Sequence, residues 1–489
     1  LNAKLTLARL RVVTTIGVAE PSSLISSELL TSVTDLFQRL RKSSSSSTPA
    51  PKMQSHPSER PACVYTSPHH ASRAGDESVN DTGKFRWMAL PIAWASLLGA
   101  QTAAADAVTD WNVIAADMTV AANLPPPPAN RTLAMVQTAV YEAVNAVTKR
   151  YRSDRVTPNA ASDASVAAAV AAANRAMLSR LLPSQQAAID KAYASALAAI
   201  ADGPAKTAGT AVGEQAAAAV LAWRADDGAG ASERYRPATT AGVYIPTTIP
   251  AAPQWGQRKP WVMTSSDQFR PGPPPALGSE LWARDYNEIK AVGAKNSTTR
   301  TPAQTEIARF WEATAPTIYF PVVRSVAHGP GREVTQNARL LAVTAQAIDD
   351  ALIAVWDSKY FYNFWRPVTA IRNGDIDGND ATERDAGWLP FIDSPMHPEY
   401  PCAHCIVSGA VGGVLAAEIG AGPTPTLSTT SPTAGGAVRS WARIDDFLSE
   451  VANARIYDGV HYRNSTEVGT AMGRKIGAWA AANALQPPH

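Results

Sequence analysis

Pro398-Glu-Tyr-Pro-Cys-Ala-His-Cys405, with the apolar run over residues 406–419 behind it, is the stretch that decides how this chain folds. The run is Ala, Val, Leu, Ile and Gly with one serine and one acid, so it reads as a buried helix ending at Gly420 or Gly422. Pro401 is placed to open that helix, because its missing N–H costs nothing at the first helical position. Cys402, Ala403 and His404 then fall on the first turn, where free backbone N–H groups and the helix dipole favour an anion. A histidine there can exchange a proton with whatever the anion binds. Read for packing alone, the segment is a core helix that happens to carry a histidine.

Working outward, alanine runs at 167–173 (broken by Val170) and 216–219 point to closely packed helices. Residues 132–150 carry Leu133, Val136, Ala139, Val140, Ala143 and Val147 at helical spacing, after a stiff polyproline stretch at 125–128. Further helices are expected over 174–182, 183–201, 204–223 and 277–292, from Thr301-Pro302 through Trp311, and over 332–356, which contains Asp349 and Asp350. Residues 226–275 are an irregular segment rich in Pro, Gly, Thr and Trp, long enough to be a wrap or channel wall. Phe310, Trp311, Tyr319 and Phe320 read equally as core or as pocket lining. There is no fixed-period repeat and no regular hairpin signal. The expected fold class is all-α, a multi-helix bundle.

The chain of 489 residues opens differently. Residues 1–87 are rich in Ser, Thr, Pro and Arg and read as disordered, or as translated sequence upstream of the true start. Residues 88–105, preceded by Lys84 and Arg86, have the short apolar core and Ala-x-Ala zone of a secretory signal, with a plastid transit peptide as the weaker option. The mature domain is then 106–489, secreted or periplasmic, with no integral membrane span. A net charge of +2 with 18% charged residues gives no sign of a nucleic-acid partner. Cys402 and Cys405, the two cysteines of the mature part, are too few for a closed zinc site. A redox pair at a helix start is open to them, but no thioredoxin-like pattern precedes it.

Three segments carry the chemistry. Lys359 and Arg366 lie seven apart, so a continuous helix projects both from one face. Their neighbours Tyr360, Phe361, Tyr362, Phe364 and Trp365 are a poor composition for a wet surface, and cations in that company need an anion. The second segment is the start at Pro401–His404. In the third, Arg455 and His461 are about 120° apart on a helix and share a target only if the chain turns, which Gly459 permits.

Together the segments resemble the signature of the vanadium-dependent haloperoxidases and type 2 phosphatidic acid phosphatases. That signature runs Lys, six residues, Arg-Pro; then Pro-Ser-Gly-His; then Ser-Arg, five residues, His, three residues, Asp. The first part matches at Lys359, Arg366 and Pro367. The second matches at Pro401 and His404, with Cys402 and Ala403 for Ser and Gly. The third matches at Arg455 and His461, with Ala454 and Ser465 for Ser and Asp. Residues 287–311 and 339–372 also resemble the exported bacterial haloperoxidase-like branch.

The resemblance implies vanadate as cofactor, with phosphate able to occupy the same site. His461 is then the metal ligand, or in a phosphatase the nucleophile. Lys359, Arg366 and Arg455 hold the oxyanion, with Ala403 giving a backbone N–H and Cys402 a weak thiol donor. His404 is the acid/base, and Lys359 polarises bound peroxide. With no Asp at 465 to orient His461, Asp445, Asp446 or a backbone carbonyl is expected to substitute. Hydrogen peroxide, a halide and a small organic acceptor are the implied partners, and a homodimer is left open. The alternatives are an acid phosphatase with a phosphohistidine intermediate, or a non-catalytic helical protein that binds an oxyanion.

Overall fold

The computed structural model describes residues 106–153, 158–314 and 316–487. The expectations for residues 1–87 and 88–105 therefore lie outside the described residues, apart from the boundary at Asp106. There the Asp106 carboxylate accepts from Val108 N and caps helix α1, Ala107–Ala121.

Prolines and side-chain caps also start most of the later helices. Helix α2, Pro126–Thr148, begins inside the proline run, so 125–128 is not the free polyproline stretch expected. Pro126–Pro128 occupy the first turn, where their missing N–H groups have no intrahelical acceptor to lose. Helices α3 (Val166–Leu181), α4 (Gln186–Ala198) and α5 (Pro204–Trp223) follow. After the irregular segment come α6 (Glu280–Val292), α7 (Pro302–Phe310) and α8 (Pro316–Ala327). Thr301 and Gln304 form a reciprocal capping box at α7.

The axis of the bundle is α9, Val334–Tyr362, buried along nearly its whole length. It packs against α2 on one side and against α11 (Ala403–Ile419) and α13 (Arg463–Asn483) on the other. Between these run the short α10 (Pro367–Arg372), a hairpin of β1 (Leu427–Ser431) and β2 (Ala437–Trp441), and α12 (Ile444–Tyr457). The antiparallel hairpin, pairing Leu427 with Trp441, had no expectation in the sequence. The mostly helical class stands.

Helices α11 and α13 touch backbone to backbone. A Cβ on Gly473 would lie 2.1 Å from Ile406 O, and one on Gly477 2.2 Å from Ala410 O. Glycine at these places lets the helix that carries His404 lie directly on the one that follows His461.

The irregular segment is a wrap pinned to α9 by two buried acids. Asp350 accepts from the backbone N–H groups of Trp261, Val262 and Met263 at 2.6, 2.8 and 2.9 Å. Asp349 holds Arg258 at 2.7 Å and the Trp261 indole at 2.8 Å, and Arg258 passes on to Asp227 at 2.7 Å. A segment without secondary structure must find partners for its polar backbone. Here an acid pair inside a helix supplies several of them.

Candidate functional site

Lys359 lies in the last turn of α9, which ends at Tyr362 and not at 356. Asn363 then turns left-handed at φ 50°, and Arg366 caps the next helix, α10. The two cations thus do not share a helical face two turns apart; the turn at Asn363 brings them together instead. Both are buried. Lys359 Nζ donates to Pro398 O at 2.9 Å and Glu399 O at 2.7 Å. Arg366 Nε donates to His397 O at 2.9 Å and NH1 to Val460 O at 2.8 Å. Burial, reinforced by Arg366, pushes the Lys359 ammonium well below its ordinary value.

Helix α11 starts at Ala403 with Cys402 as its cap, two residues later than Pro401 would place it; Pro401 follows a cis peptide bond. Cys402 is joined to Cys405 in a disulfide and its Sγ accepts from Cys405 N. It has no thiol proton, so the expected weak donor to an oxyanion is absent. Ala403 and His404 remain in the first turn, where backbone N–H groups have no intrahelical acceptor. His404 Nε2 lies 3.3 Å from Ala313 O, and burial, with Arg455 nearby, pushes its imidazole well below the usual histidine range.

Arg455 lies in the last turn of α12, donates to Trp311 O at 2.8 Å, and pairs with Asp458 at 2.5 Å; its Nε is buried without a partner. Gly459 makes the required turn at φ 79°, where an added Cβ would also lie 2.3 Å from Gly293 O. His461 follows, buried, with Nδ1 2.7 Å from Glu399 Oε1 and Nε2 3.3 Å from Arg366 NH1. A guanidinium can only donate. His461 Nε2 is therefore the acceptor and Nδ1 carries the proton, given to Glu399. Burial and the cations Arg366, Lys359 and Arg455 hold this imidazole neutral, well below its ordinary pKa.

The acid beside His461 is not one of those expected. Asp445 pairs with Arg443 and Arg474 away from the site, and Asp446 is exposed on α12. Glu399, Asp458 and His397 were missed. Glu399 had one signal, an acid between Pro398 and Tyr400-Pro401 in an apolar setting. His397 packs at a tilt against Trp356, with ring centres 5.0 Å apart, and lies 3.0 Å from Arg366 NH2 through Nδ1.

A cavity of about 450 Å³ opens on this cluster. Ala403, His404, Arg455 and His461 line it, so the two imidazoles face one space. Lys359, Arg366 and Cys402 do not line it; Arg366 reaches it through its contact with His461. The remaining wall is largely apolar, with Leu352, Trp356 and Val407, while Glu312 and Asp393 add two carboxylates.

Three cations meet two acids here, and burial pushes both acids, Glu399 and Asp458, up to about 7. The balance is positive in a dry setting, and the orphaned Arg455 Nε and the first turn of α11 add donors. That donor set fits a tetrahedral oxyanion with one nitrogen ligand. Among the described residues, no group of three or more His, Cys, Asp or Glu is arranged to hold a bare metal cation.

Residues 339–487 match the family described as "VCPO second helical-bundle domain". Over 191 residues the chain is 29% identical to the vanadium chloroperoxidase of Curvularia inaequalis, covering 33% of this chain and 31% of that one. The match thus spans about a third of the length of the curated relative. The crystal structure of the first bacterial vanadium-dependent iodoperoxidase superposes with a TM-score of 0.67 at 24% identity, covering 78% of this chain and 98% of that one. An apo-type bacterial vanadium-dependent chloroperoxidase gives 0.61 at 17% identity, over 73% and 94% of the two chains. At these identities the likeness to the solved structures speaks for the fold.

Proposed function

Because residues 339–487 match the VCPO second helical-bundle family model, and the chain shares the fold of bacterial vanadium haloperoxidases, we propose that this protein is a vanadate-dependent haloperoxidase. It uses hydrogen peroxide to oxidise a halide to hypohalous acid. The observation that carries the reading is His461, neutral, protonated on Nδ1, with Nε2 among buried cations at a cavity shared with His404. Vanadate, when bound, supplies a Lewis acid that activates peroxide without a change of oxidation state.

The chain's own residues divide the remaining work. His461 is the metal ligand. Lys359, Arg366 and Arg455 hold the oxyanion and offset its charge, and the Ala403 N–H adds a backbone donor. His404, neutral before the anion binds, takes a proton from peroxide and returns it to the departing oxygen. Cys402 keeps the turn in place through its disulfide. The apolar wall of the cavity receives a small organic acceptor.

A second reading is an acid phosphatase with His461 as nucleophile, because phosphate and vanadate are isosteric and a neutral imidazole can attack phosphorus. Secretion or export to the periplasm, with a domain from 106 onward, accords with the charged and apolar pattern at 84–105 and with an oxidised Cys402–Cys405 pair.

The test is bromination of a dye by the full chain with peroxide, bromide and orthovanadate, run beside p-nitrophenyl phosphate hydrolysis. Vanadate-dependent bromination is expected. Phosphate release inhibited by vanadate would select the phosphatase, and neither activity would leave a non-catalytic oxyanion binder.

A further inference from the structure

We infer that Glu399 is the positioning residue for His461, taking over the task that the family signature gives to an acid four residues after the histidine. This rests on the haloperoxidase reading of the site. Position 465 holds serine, which taken alone suggests an imidazole with nothing to orient it. The structure places a carboxylate there all the same. Glu399 Oε1 lies 2.7 Å from His461 Nδ1 and also accepts from Tyr462 N at 3.2 Å, so it grips the ring and the backbone beside it. The loop that carries Glu399 is itself held, because Lys359 binds the carbonyls of Pro398 and Glu399 and Arg366 binds that of His397. Two of the cations assigned to the oxyanion thus also fix the loop whose acid aims its ligand.

Ser465 explains why the exchange is one for one. It is buried, and its hydroxyl lies beside the Glu399 carboxyl, close enough to oppose the upward push of burial on it. Neither Ser465 Oγ nor Glu399 Oε2 has a full hydrogen bond. Its backbone carbonyl accepts from Cys402 N at 3.2 Å, so the residue is locked against the start of α11. An aspartate at 465 would press a second carboxylate against Glu399 where both positions are buried, and two like charges there cannot both stay ionised. The two positions are therefore alternatives. An acid at 399 goes with a small neutral residue at 465, and an acid at 465 would go with a neutral residue at 399.

The experiment uses the full chain with ¹⁵N-labelled histidine in four forms: wild type, Glu399→Ala, Glu399→Gln, and Glu399→Ala combined with Ser465→Asp. It reads the His461 tautomer without added anion and the affinity for orthovanadate. Wild type is expected to show Nδ1–H alone. Glu399→Ala should lose that fixed tautomer and bind orthovanadate about 10- to 100-fold more weakly, the usual cost of losing such a partner. Glu399→Gln, whose amide oxygen still accepts from Nδ1, should keep the tautomer and lose less affinity, which separates orientation from folding. Ser465→Asp in the Glu399→Ala background should restore both signals to within a few-fold of wild type. An unchanged tautomer and affinity in Glu399→Ala would overturn the inference, and so would a double variant that folds yet recovers neither. If wild type bound no orthovanadate while the tautomer still followed Glu399, the haloperoxidase reading would fail and the positioning role would stand.

Discussion

Arg366 NH1 stands 3.3 Å from His461 Nε2, a donor facing an imidazole nitrogen across a buried site. That contact makes the nitrogen an acceptor. An incoming oxyanion therefore meets a neutral lone pair flanked by a fixed positive charge, without first displacing a proton.

The same burial makes the site sensitive to acid. His397, His404 and His461 are all held well below the usual histidine value, chiefly by burial. Their folded pKa values are depressed, so below about pH 6.5 the unfolded chain binds protons that the native state refuses. Stability should fall with acid there by about 1.4 kcal/mol per pH unit for each histidine. Glu399 and Asp458, raised to about 7, act oppositely between their unfolded values and 7. Comparing wild type with His404→Gln cancels their share. Urea unfolding between pH 5 and 6.5 should show a slope shallower by about one proton in the variant.

Gly459→Ala should be costly for two independent reasons, its φ of 79° and a Cβ 2.3 Å from Gly293 O. A loss of about 2–4 kcal/mol in urea unfolding is expected. Because Gly459 sets the turn between Arg455 and His461, orthovanadate affinity should drop as well. A variant with wild-type stability would show that the turn tolerates an L-residue.

The wrap offers a test away from the site. Asp349→Ala takes from buried Arg258 one of its two carboxylate partners and leaves Asp227 to pair with Arg131, Arg224 and Arg258. Breaking a buried ion network in this way should cost about 3–5 kcal/mol. The Trp261 indole, which donates to Asp349, gives a fluorescence reporter of the loss.

Much of this was legible in the chain. The all-round apolar run after Cys405 announced a buried helix, and the helix at 204–223 was read at its observed bounds. The helix start picked out His404, and the resemblance to the haloperoxidase signature picked out Arg455 and His461; all three line one cavity. The sequence misled where a local rule met tertiary demand. Lys359 and Arg366 at helical spacing suggested one stripe, but Asn363 breaks the helix between them and the loop at 397–399 supplies what gathers both. Two cysteines at a helix start looked like a free thiol donor until their positions closed the disulfide. Glu399 could not be assigned to His461 because 62 residues separate them, and no short-range pattern encodes that pairing.

Calorimetric titration of orthovanadate into the full chain and into His461→Ala tests most directly whether Lys359, Arg366, His404, Arg455 and His461 form one oxyanion site. One site per chain is expected in wild type and loss of detectable binding in the variant, since His461 is the proposed nitrogen ligand. Undiminished affinity in His461→Ala would contradict it.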